Sequence, residues 1–160
     1  KPDIFSGFSI EIYKKIMYNV LWEKVGEFKV FHIDEVMDKE RANNLSPVVL
    51  AFVGDAVYSL FVRERLTFFS DCKTGELNNL AVKEVNASAQ AEFYKEIEPL
   101  LNEEEKAVFR RGRNAKKSTK SKSASVTEYN TSTGLEALLG YLYLTGNKER
   151  LNFILNKGNK

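Results

Sequence analysis

Pro47-Val-Val-Leu-Ala-Phe-Val-Gly-Asp-Ala-Val-Tyr-Ser-Leu-Phe61 is the stretch whose reading decides the fold. Ser46 in front of it suits a helix N-cap, and Pro47 suits the first helical position. A helix is expected from there to about Arg65. From Ala42 to Val62 the only charged residue is Asp55. A second stretch has the same character: Thr133-Gly-Leu-Glu-Ala-Leu-Leu-Gly-Tyr-Leu-Tyr-Leu144. From Tyr129 to Asn147 its only charge is Glu136. Burying an uncompensated carboxylate costs on the order of several kcal/mol, so such a group is paired, protonated or bound to a metal. Two apolar helices with one acid each point to an all-α core built around a cation site. The competing reading pairs each acid with an Arg or Lys from elsewhere.

Working outward, the 160 residues suffice for one globular domain with a real core. Hydrophobic residues at 43% and charged residues at 29% exclude a disordered chain. The net charge is only +2, so affinity for polyanions must come from local clustering. Cys72 is the single cysteine, which excludes an internal disulfide and a multi-cysteine zinc site and fits a reducing cytoplasm. His32 is the single histidine and excludes a multi-histidine metal site within one chain. No secretory signal is visible. Asn43, Asn44, Ser46, Pro47, Asp55 and Ser59 argue against a membrane span over Ala42–Val62.

The remaining chain reads as mostly helical. Ser9 to Trp22 has an amphipathic pattern, and Phe28 to Ile33 alternates like a short extended piece. Glu35 to Asn44 is polar. Thr74-Gly-Glu-Leu looks like the start of a long helix running to about Ile97, ended by Pro99. Asn102-Glu-Glu-Glu opens another, with acids where the helix dipole favours them, ending near Arg111. Ala115 to Asn130 reads as a loop, and Ser132 or Thr133 as the cap of the helix carrying Glu136. A last helix is expected over Lys148–Leu155. Residues 1–36 differ in character from 37–160 and read as an N-terminal extension of open role.

Arg110-Arg-Gly-Arg-Asn-Ala-Lys-Lys-Ser-Thr-Lys-Ser-Lys122 carries seven cations and no acid. Such side chains contact phosphate oxygens. With no aromatic in the run, base stacking is not suggested, and recognition of a duplex backbone fits better. A divalent metal held by carboxylates activates water and stabilises charge on a phosphodiester. Acid pair and basic run together describe a metal-dependent nuclease; apart, they describe ion pairs and a solvated loop.

These residues resemble a known family. Leu50-Ala-Phe-Val-Gly-Asp-Ala-Val57 resembles the signature helix of ribonuclease III, and Leu135-Glu-Ala-Leu-Leu-Gly140 resembles its second acidic helix. The closer similarity is to Mini-III, the short bacterial branch without a double-stranded RNA-binding domain. Val85-Asn-Ala-Ser-Ala-Gln-Ala91, Glu103–Lys116 and Tyr129–Leu144 are similar to it as well. The resemblance covers roughly Asn44 to the C-terminus.

The resemblance implies an all-helical endonuclease domain forming a symmetric homodimer, with duplex RNA in a valley shared by two active sites. It implies Mg²⁺-dependent cleavage, with Mn²⁺ as a substitute, and maturation of the large-subunit (23S) ribosomal RNA precursor in the cytoplasm. Asp55 and Glu136 would be the catalytic, metal-holding acids. Arg110, Arg111, Arg113, Asn114, Lys116 and Lys117 would approach RNA, and Lys83 and Asn86 offer further polar contacts. Other acidic positions of ribonuclease III fall here on Val48, Ala51 and Thr133. Two carboxylates still suit one Mg²⁺ that retains waters. Thr133, one turn before Glu136, is placed to orient such a water. The rival readings are a non-catalytic duplex-RNA-binding protein on the same scaffold and a helical adaptor with structural ion pairs.

Overall fold

A computed structural model describes residues 35–116 and 124–157. The expected helix at Ser9–Trp22, the Phe28–Ile33 segment, His32 and Lys117 lie outside the described residues. Those that are described form seven α-helices and one 3₁₀ turn, and no strand. In chain order the helices are α1 (Lys39–Asn44), α2 (Pro47–Phe69), α3 (Thr74–Val85), α4 (Ala87–Ile97), α5 (Glu103–Arg113), α6 (Val126–Leu144) and α7 (Lys148–Lys157). The fold is all-α, as expected.

The core is organised around α6. Every residue from Ser132 to Leu142 is buried except Glu136, which is half-buried. A helix apolar on all sides has no solvent face to give it amphipathic character, and it belongs in the centre. The most extensive contact is with α2, followed by α5 and α4. Leu135, Leu138, Leu139 and Leu142 fill the space between them. Each such leucine contributes about 2 kcal/mol by leaving water. Tyr94 of α4 and Phe109 of α5 stack at 3.7 Å beside this core.

Two helix starts are fixed by reciprocal capping. At α5, Asn102 Oδ1 accepts from Glu105 N–H at 2.9 Å, and Asn102 N–H donates to Glu105 at 2.9 Å. Glu105 is only 2% exposed. Its carboxylate also accepts from Arg150 Nε at 2.6 Å and Nη2 at 2.7 Å, which fastens α7 to α5. Burial pushes the Glu105 carboxyl up. The Arg150 bonds and the Asn102 amide outweigh it and hold the group below the ordinary carboxylate value.

At α6, Ser125 and Glu128 form the second box. This corrects the expected start of the Glu136 helix: Ser132 and Thr133 do not cap it but lie inside it, buried. The segment read as a loop up to Asn130 is helical from Val126. The Ser-x-x-Glu pattern at 125–128 nucleates a turn that Lys/Ser/Thr-rich composition obscured.

The expected long helix from Thr74 to Ile97 is two helices. Asn86 is extended, its Oδ1 accepts from Ala89 N–H at 2.9 Å, and its Nδ2 donates to Lys83 C=O at 2.7 Å. One side chain therefore closes α3 and opens α4. The polar Glu35–Asn44 stretch contains α1, capped by Asp38. Helix α2 runs four residues past Arg65, to Phe69, and α7 runs two past Leu155, to Lys157.

Candidate active site

Helices α2 and α6 touch backbone to backbone. A β-carbon built on Gly54 would lie 1.7 Å from the Glu136 carbonyl oxygen, and one on Gly140 would lie 2.0 Å from the Leu50 carbonyl oxygen. Position 54 thus meets 136 while position 50, one turn back, meets 140, one turn on. That pairing runs antiparallel. Asp55 immediately follows Gly54, so both lone acids spring from one crossing.

Their environments differ. Asp55 is exposed, and among the described residues its carboxylate makes no hydrogen bond or ion pair. It is therefore not the buried acid that an all-apolar neighbourhood suggested. Phe52 and Leu60, close to it in sequence, lie on the outer face of α2, 80% and 66% exposed. Glu136 is half-buried and has polar interactions of its own. Thr133 is buried one turn before it, and its Oγ1 donates to Tyr129 C=O at 3.0 Å. That bond uses the hydroxyl proton, so toward any other partner the oxygen acts as an acceptor.

The basic residues flank α6 on its α5 side. A β-carbon on Gly112 would lie 2.9 Å from the Thr133 carbonyl oxygen, so Arg111 and Arg113 bracket a contact one turn from Glu136. Arg110, Arg113, Asn114 and Lys116 are exposed. Arg111 is committed to the fold: its Nη2 donates to Asn43 C=O at 2.7 Å and Leu45 C=O at 3.1 Å, bracing the α1–α2 turn. Asn86 is committed too, as the cap between α3 and α4, and Lys83 beside it is exposed.

The donor set suits a hard divalent cation. Among the described residues no group of three or more His, Cys, Asp and Glu could hold a metal. What the crossing offers is two carboxylates, one of them open to solvent. Mg²⁺ commonly takes one or two carboxylates and keeps several waters. A zinc or iron site would want nitrogen or sulfur ligands, which are absent from the crossing.

Gly54 and Gly140 lie inside the two motifs, and the fold gives both a packing role. A signal was available: glycine in mid-helix costs roughly 1 kcal/mol relative to alanine, so its presence asks for a packing reason.

The Ribonuclease III domain family matches residues 48–147. The chain is 51% identical over 121 residues to the Mini-ribonuclease 3 of Thermoanaerobacter sp. (strain X514), covering 76% of this chain and 85% of that protein. It is 49% identical over 111 residues to the Mini-ribonuclease 3 of Symbiobacterium thermophilum, covering 69% and 85%. A crystal structure of a Fusobacterium nucleatum protein superposes with a TM-score of 0.64 at 35% identity, covering 71% of this chain and 90% of that one. The chain belongs to the ribonuclease III family, in its Mini-ribonuclease 3 branch.

Proposed function

We propose that this ribonuclease III-family endoribonuclease hydrolyses phosphodiester bonds of double-stranded RNA, using a divalent cation held by Asp55 and Glu136. The observation that carries this reading is the α2–α6 crossing, from which both acids spring with Asp55 open to solvent. Bound there, Mg²⁺, or Mn²⁺ in its place, supplies Lewis-acid stabilisation of phosphate charge and a nucleophilic water at neutral pH. The chain's own groups do the rest. Asp55 and Glu136 hold and orient, and the Thr133 oxygen, fixed by its bond to Tyr129, accepts a hydrogen bond beside Glu136. Arg110, Arg113, Asn114 and Lys116 contact backbone phosphates, with Lys83 at the α3–α4 junction and Lys117 extending that set. Arg111 and Asn86 serve chiefly by shaping the surface.

Two copies act together in this reading. Phe52 and Leu60 leave an apolar face of α2 open, 80% and 66% exposed, and a second copy related by a twofold axis would cover it. In this reading the natural duplex is precursor 23S ribosomal RNA and the place of action is the cytoplasm. No helix among the described residues is long and apolar enough to cross a membrane.

Labelled duplex and single-stranded RNA of one sequence test the reading, each with Mg²⁺ and with EDTA. The expected result is Mg²⁺-dependent cutting of the duplex alone. Binding of the duplex without cutting would favour a non-catalytic RNA-binding protein instead. A precursor 23S fragment with paired ends should be cut within its stem, and an uncut stem would remove that substrate.

A further inference from the structure

Gly54 and Gly140 lie in the middle of long helices, where glycine weakens the helix relative to alanine. Both occupy places that admit no β-carbon. On Gly54 it would fall 1.7 Å from the Glu136 carbonyl oxygen and 2.6 Å from its carbonyl carbon. On Gly140 it would fall 2.0 Å from the Leu50 carbonyl oxygen and 3.0 Å from the Gly54 nitrogen. The obstructing atoms are helix backbone, which cannot swing aside as a side chain does. An added methyl group must therefore move one helix relative to the other. One of those helices carries Asp55 and the other Glu136.

We propose that Gly54 and Gly140 are positioning residues of the active site: their backbone-to-backbone contact sets the separation at which Asp55 and Glu136 share one divalent cation. The inference rests on the assignment of Asp55 and Glu136 as the metal-holding pair. It adds that their spacing is a property of the helix crossing and not of side-chain reach alone. The other tight glycines do different work. A β-carbon on Gly134 would meet the Phe109 ring at 2.6 Å, and Gly112 faces Ala137 and Thr133. Those two set α5 against α6 and leave the α2–α6 distance alone. Gly75, with nothing within 4 Å, sets none.

Mn²⁺ binding to the full chain without RNA reads the spacing directly, by the loss of the free-ion electron paramagnetic resonance signal. Circular dichroism monitors the fold alongside. Asp55→Asn tests the metal pair itself and should weaken Mn²⁺ by at least roughly tenfold. Gly54→Ala and Gly140→Ala should weaken it by roughly tenfold with helix content retained. Gly134→Ala, two residues from Glu136 on the same helix, should bind like wild type although it also overpacks a helix contact. A general loss of stability would affect all three alike. If the Gly54 and Gly140 variants do not fold, Asp55→Glu and Glu136→Asp read the same spacing with the backbone untouched. Each moves a carboxylate by one methylene and should weaken Mn²⁺ by roughly tenfold. Folded Gly54→Ala and Gly140→Ala proteins that bind Mn²⁺ like wild type would overturn the proposal. So would carboxylate variants that both bind like wild type. An Asp55→Asn protein with wild-type binding would instead remove the metal-pair assignment, and the proposal with it.

Discussion

Helices α2 and α6 look alike as sequence and differ as structure. Each is a long apolar run with glycine and a single mid-run acid. In α6 the apolar residues face inward on every side because α2, α4 and α5 surround it, and Glu136 is the one break in the buried run from Ser132 to Leu142. In α2 only part of the circumference is covered. Leu50, Ala51, Gly54, Tyr58 and Val62 are buried, Leu50 and Gly54 against α6 and Tyr58 beside Phe93 of α4, while Phe52, Leu60, Phe68 and Phe69 are exposed. Apolar composition on all sides thus has two outcomes: burial by the chain's own helices in α6, and an open apolar face in α2. The lone acid means something different in each. Glu136 looks out of a core, and Asp55 sits in an exposed apolar stripe.

Substitutions sharpen that contrast. Leu138, fully buried on α6, should lose about 2–5 kcal/mol on truncation to alanine, read by urea denaturation. A loss under about 0.5 kcal/mol, as at an ordinary surface site, would break the contrast. Glu105 is the counter-example to the two lone acids, being buried and fully paired. Glu105→Gln leaves Arg150 without its charge partner, and a loss of about 3 kcal/mol is expected. Asn86→Ala removes the cap between α3 and α4 and should cost about 1 kcal/mol. Leu60→Ala should change protomer stability by less than about 0.5 kcal/mol, because the side chain is already 66% exposed. The same variant should weaken self-association in sedimentation, and an unchanged dimer would remove α2 as the interface.

Acid and base separate the groups further. The Glu105 carboxyl is held below its ordinary value of 4.5 in the folded chain. Its contribution is complete above 4.5 and is lost as the pH falls through the lower folded value. The Tyr58 and Tyr94 phenols are pushed by burial from 10.0 up to about 12, as is Tyr141. Raised values favour the folded state below pH 10, and that stabilisation drains away between pH 10 and about 12. Urea midpoints across pH 3–5 for wild type and Glu105→Gln check the first expectation. The variant should show a shallower loss, since it has no carboxyl at that position to protonate.

The helical class, the two central helices and their lone acids were legible because burial leaves a strong compositional trace. The Ser125-Val-Thr-Glu128 box was legible in principle, yet the charged residues before it outweighed two hydrogen bonds in any compositional reading. The break at Asn86 was hidden, since a helix-compatible pattern continues across it and only the side chain's bonds reveal the turn. Exposure of Asp55 was not legible at all. Sequence shows that its neighbours are apolar and cannot say which of them the same chain covers. Gly54 and Gly140 announced a close approach without naming each other. Antiparallel packing is what matches 54 with 136 and 50 with 140.

The most direct measurement is single-turnover cleavage of a labelled RNA duplex at saturating enzyme with Mg²⁺, for wild type, Asp55→Asn and Glu136→Gln. Duplex affinity is read in the same samples without metal. Both variants should bind the duplex like wild type and cut it at least roughly 100-fold more slowly, since losing a metal ligand costs more than disturbing its support. Near-normal Mg²⁺-dependent cutting by either variant would contradict the assignment of the two lone acids as one active site.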